Sequence, residues 1–141
     1  MAQSLRHLAR KLVLQGLYAE ETGQRPAEEV AETVITSDEL NARSLEFARD
    51  LFSKVREQRA ASDETIARLA ANWDINRMAL VDKIIIRMAI TELSEMPDVP
   101  VKVVLNEAIE LAKEFSTAES SSFVNGILDS YVRDPSSGLS V

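Results

Sequence analysis

The sequence predicts an all-α fold of about seven helices, compact over residues 1–133, with a flexible tail at 134–141. Three observations carry this expectation. Glycine and proline number four each in 141 residues, aromatics are few, and Ala, Leu, Glu and Arg are plentiful, a balance that favours helix over sheet. Apolar residues recur with the 3.6-residue period along most of the chain, and no useful stretch alternates as a strand would. Hydrophobic residues make up 45% and charged residues 28%, enough for a core without staples, and no cysteine exists to form a disulfide or a thiolate site.

Ser4 is a suitable N-cap for a first helix reaching about Glu20. Its expected buried stripe is Leu5, Leu8, Ala9, Leu12, Val13, Gly16 and Leu17; Arg6, His7, Arg10, Lys11 and Tyr18 gather on the opposite side, with Leu14 exposed among them. Thr22-Gly23 reads as a stop, and Pro26 suits the first turn of a short second helix through Ile35. Ser37 opens a third helix, in which Leu40, Leu45, Ala48, Leu51, Phe52 and Val55 keep helical spacing. A break near Ala60 leads into a fourth, capped by Ser62 and marked by Ile66, Leu69, Ala70 and Trp73.

MALVDKIIIRMAITEL is apolar nearly all round, interrupted by Asp82, Lys83, Arg87 and Glu92, as expected of a central helix surrounded by neighbours. Pro97 and Pro100 bound a short connection into VKVVLNEAIELAKEF. A last helix, capped by Ser116 or Thr117, covers about Ala118 to Val132.

Catalysis finds little support. His7 is the single histidine, and there is no nucleophile elbow, P-loop or dinucleotide fingerprint. Glu107, Glu110 and Glu114 fall on neighbouring turns, as in di-iron bundles, but such sites need two Glu-x-x-His pairs. The expectation is therefore a non-enzyme without metal or cofactor. No apolar run approaches a bilayer span and the first 20 residues lack a signal-peptide core, which points to the cytosol and away from membrane.

Charge is unevenly shared. Formal net charge is -7, yet residues 1–19 hold Arg6, Arg10 and Lys11 without an acid, a local +3 that leaves -10 for the rest. An acidic body repels polyanions at long range, so any nucleic-acid contact must be local. The basic face is either an ordinary solvated strip or a phosphate-binding surface on which Tyr18 stacks an unpaired base. Asn106 and Asn125, inside apolar helical runs, are either exposed or engaged in a buried network. Gly126 costs about 1 kcal/mol in a helix interior, which suggests close approach of another backbone or a ligand.

RHLARKLVLQGLY, INRMALVDKIIIRMAITEL and VPVKVVLNEAIELAKEFSTAESSSFVNGILD, in that order over residues 5 to about 132, closely resemble the NusB family of bacterial transcription antitermination factors. The resemblance implies two small helical bundles packed together and RNA binding without catalysis. It further implies pairing with the ribosomal protein NusE, recognition of the boxA element of ribosomal RNA leader transcripts, and indirect association with RNA polymerase and other Nus factors. Homodimers are known in the family. Carried over, the RNA side falls on Arg6, His7, Arg10 and Tyr18, with Lys11 beside them, on Arg87, and on Glu119, Ser122, Phe123 and Asn125; Asp82 is the partner-facing candidate. Leu8 and Ser122 stand where family members often carry a basic residue, which implies that RNA binding draws on the partner.

Overall fold

The computed structural model describes residues 4–23, 25–70 and 78–139, and every described regular element is helical. α1 spans Leu5–Glu21, α2 Ala27–Thr33, α3 Ala42–Glu57, α4 Arg59–Leu69, α5 Leu80–Glu95, α6 Val101–Phe115 and α7 Ala118–Arg133; a 3-10 turn follows at Pro135–Ser137. The expected Trp73 of the fourth helix lies outside the described residues. The chain divides into two compact units, Met1–Glu57 and Gln58–Val141.

In the first unit α1 packs chiefly on α3 and secondarily on α2. Ala9, Val13 and Leu17 of α1, Val30 and Ile35, and Ala48, Leu51 and Phe52 of α3 are all buried. Gly16 packs closely beneath Val30 and Ile35: a Cβ there would stand 3.0 Å from Val30 Cγ1 and 3.2 Å from Ile35 Cδ1. Gly23, at φ 77°, takes the left-handed conformation that lets the chain leave α1 cheaply.

Two caps differ from the sequence reading. Asn41 rather than Ser37 starts α3, its Oδ1 accepting from the Ser44 N–H at 2.8 Å, while Ser37 organises the preceding turn by accepting from Glu39 N–H. Asn and Ser are near-equal caps, so composition does not separate them. Ser62 lies inside α4, buried, with its N–H bonded to Gln58 O; only Gln58 separates α3 from α4.

In the second unit α5 is the hub, contacted by α4, α6 and α7. Ile84, Ile85, Ile86, Met88, Ala89, Ile90 and Leu93 are buried all round the helix, as its apolar sequence requires. Each large aliphatic buried there contributes about 1.5–3 kcal/mol. Thr117 caps α7 by accepting from Ser120 N–H at 3.1 Å. The chain after α7 opens with order: Asp134 caps the 3-10 turn through Ser136 N–H and pairs with Arg68 of α4.

Candidate nucleic-acid interface

At the head of α1, Ser4 Oγ accepts from the His7 N–H at 3.0 Å and sets Arg6 and His7 in the first turn. That turn holds no acid, so the positive end of the helix dipole adds to the side-chain charges instead of being neutralised. His7 and Lys11 are half-buried, and Tyr18, one helical stripe further along, is 44% exposed.

The buried arc of α1 is rotated from its expected place toward Arg10. Arg10 is only 2% exposed and Leu14 is buried, whereas Leu5, expected inside, is 36% exposed. The cause is Phe47 of α3: the Arg6 guanidinium carbon lies 4.1 Å from its ring centroid and that of Arg10 5.1 Å, so the ring turns an expected basic edge into packing surface.

α7 turns Val124, Ile127, Leu128, Tyr131 and Val132 inward and leaves Glu119, Ser122, Asn125 and Gly126 outward, with Phe123 half-buried beside them. Asn125 and Asn106 are thus both exposed, which decides the alternative left open by sequence. A Cβ built on Gly126 meets no atom of the described residues within 4 Å.

Arg87 lies within α5. It is 4% exposed, and Asp63 of α4 grips it bidentately, Nε to Oδ1 at 2.6 Å and Nη2 to Oδ2 at 2.9 Å. An arginine so enclosed crosslinks two helices, α4 and α5. Composition gives no hint of this, since Asp63 lies 24 residues earlier in a different helix.

Asp82, at the first turn of α5, is 5% exposed. Its Oδ2 accepts from Ser120 Oγ at 2.8 Å, and Ser120 Oγ in turn accepts from Ser116 Oγ at 2.9 Å. Oδ1 has no hydrogen-bond partner among the described residues. The network ties α5 to the start of α7.

Elsewhere the surface is less suited to a polyanion. An open cleft of about 560 Å³ along the outer side of α3 is lined by Leu45, Glu46, Arg49 and Asp50, whose charges include two carboxylates. Among the described residues no three acidic or histidine side chains converge as metal ligands, and no helix is long and apolar enough to cross a membrane.

Residues 7–133 match the family model described as the NusB family. The chain is 44% identical over 136 residues to the transcription antitermination protein NusB of Symbiobacterium thermophilum, covering 91% of this chain and 89% of that protein. It is 42% identical over 125 residues to the protein of the same name from Chloroherpeton thalassium, covering 88% of this chain but 59% of that longer relative. Among solved structures, T. maritima NusB superimposes with a TM-score of 0.80 at 32% identity, over 92% of this chain and 90% of the other.

Proposed function

This chain belongs to the NusB family, and from that premise we propose that it is an antitermination factor binding boxA RNA of ribosomal RNA leader transcripts together with the ribosomal protein NusE. The observation that carries the reading is the acid-free first turn of α1, where Arg6 and the helix dipole sum to one positive end on a chain of net charge -7. Its role is to bind, without making or breaking a bond, and it acts in the bacterial cytosol, reaching RNA polymerase and the other Nus factors through the assembled complex.

Arg6 and Lys11 neutralise phosphates, with His7 beside them as a hydrogen-bonding group; Tyr18 offers an exposed ring for stacking. Arg10 supports this surface from beneath. On α7 the exposed Ser122 and Asn125 are neutral hydrogen-bonding groups, Phe123 is a second stacking surface, and Glu119 accepts from base amino groups while repelling phosphate. Gly126 completes the argument, because its open Cβ position admits a ligand closer than any other residue would.

Two or three neutralised phosphates give a salt slope of only about -2 on single strands, so affinity without help is modest. Titration of boxA and scrambled RNA against the protein, with and without NusE and at two salt concentrations, tests the reading. A preference for boxA that strengthens with NusE supports it; equal binding of both RNAs in every condition rejects it.

A second reading, a protein-interaction module with little RNA contact of its own, draws on the net charge of -7 and on Leu8 and Ser122 standing where a basic residue would add a phosphate contact. Under it, NusE binding persists while Lys11→Glu leaves RNA affinity of the complex unchanged.

A further inference from the structure

We propose that Phe47 is a positioning residue for RNA binding, holding the Arg6 guanidinium in its binding pose while making no RNA contact itself; the inference rests on the RNA reading above. Arg6 and Arg10, one turn apart on α1, would repel each other across that turn. Instead both guanidinium carbons lie within 6 Å of the Phe47 centroid, at 4.1 and 5.1 Å, where the negative face of a ring attracts a cation.

Burial divides the labour among the three side chains. Phe47 is 8% exposed and Arg10 is deeper still, so neither presents much surface to a ligand. Arg6 is half-exposed. A guanidinium stacked on a ring keeps its N–H edge free in the plane perpendicular to the stacking direction, the edge that grips phosphate or a base. An unstacked arginine loses its rotamer freedom only when RNA arrives; here part of that loss is incurred on folding, and the bound complex gains accordingly.

The role differs from that of an ordinary core aromatic in what it predicts. Phe47→Leu keeps an apolar, similarly sized side chain in the α1–α3 packing and removes the ring; Phe47→Tyr keeps the ring. Binding of boxA RNA in the presence of NusE is measured for both, for Arg6→Ala, and for the double variant Arg6→Ala/Phe47→Leu, with thermal melting of each protein alongside. Without the ring the rotamer cost of ordering Arg6 falls on binding instead of folding, which weakens binding about three- to fivefold in Phe47→Leu, while Phe47→Tyr stays within about twofold of the parent. Phe47→Leu leaves the salt slope unchanged because no charge is removed, whereas Arg6→Ala makes it shallower by about 0.7. In the Arg6→Ala background, Phe47→Leu costs nothing more.

The free protein supplies a readout independent of RNA: Arg6 side-chain protons are shifted upfield by the ring in the parent and in Phe47→Tyr, and return to ordinary positions in Phe47→Leu. Unchanged Arg6 shifts overturn the geometry. Parent-like RNA affinity in folded Phe47→Leu, with Arg6→Ala weakened, overturns positioning and leaves the RNA reading standing. An equal loss from Phe47→Leu with and without Arg6 makes the residue merely structural. Should Arg6→Ala bind RNA as the parent does, the RNA assignment of Arg6 fails and this inference with it.

Discussion

Gly126→Ala separates stability from function within one side chain. Gly126 lies inside α7, has a helical backbone without positive φ, and offers a Cβ open space on all sides. Glycine at an exposed helix interior is about 0.5–1 kcal/mol less stable than alanine, mostly through backbone entropy in the unfolded chain. With no steric penalty to subtract, the substitution stabilises by that full amount, raising the melting temperature about 3–6 °C for a unit of this size. RNA affinity moves the other way: a methyl group where the ligand backbone approaches costs about 1 kcal/mol, or roughly fivefold. Urea denaturation with the slope held constant measures the first quantity, and titration with boxA RNA and NusE the second. A lower or unchanged stability would refute the open-space argument. A stabilised variant with parental RNA affinity would show that glycine is not kept there for a ligand.

Other consequences are separately measurable. Asp63→Asn loses charge on one side of the Arg87 grip and, because Asp63 itself is 37% exposed, costs about 2 kcal/mol in denaturant unfolding rather than the full buried-pair penalty, while folded protein binds RNA as before. Asp134 is held at a pKa of about 2, below its ordinary 3.8, by the hydrogen bond from Arg68 first and then by the N–H and hydroxyl of Ser136. Its folded-state pKa being depressed, the contribution of this contact is present above pH 3.8 and is lost as pH falls through 2; Arg68→Ala returns the carboxyl titration, followed by NMR, toward the ordinary value. Asp82→Asn weakens the hydrogen bond that Oδ2 accepts from Ser120 Oγ and lowers stability by about 1 kcal/mol in urea denaturation, and leaves the helix content unchanged by circular dichroism.

Much of this molecule is legible from spacing, and the rest is hidden for a common reason. Ser4 and Thr117 are recognisable caps because capping is decided by the few residues that follow them. α5 declares itself by being apolar on every side, a property that needs no knowledge of neighbours. By contrast, a helical wheel orders the side chains of α1 around its axis without saying which arc meets α3, and a chemically basic edge was ceded to packing because an aromatic ring happened to lie opposite. Phe47 carried no local signal of that role. Arg87 and Asp82 are likewise polar letters in an apolar run whose partners, Asp63 and Ser120, come from other helices. Pairings between elements are the part that periodicity does not encode.

Photo-crosslinking of boxA RNA to the complex with NusE, followed by mass spectrometry of the linked peptides, tests the assignment of the RNA surface most directly. The account predicts adducts at Tyr18 and at Phe123, each diminished when Lys11 is replaced by Glu. Adducts confined to the outer side of α3, around Glu46 and Asp50, with none on α1 or α7, would contradict it.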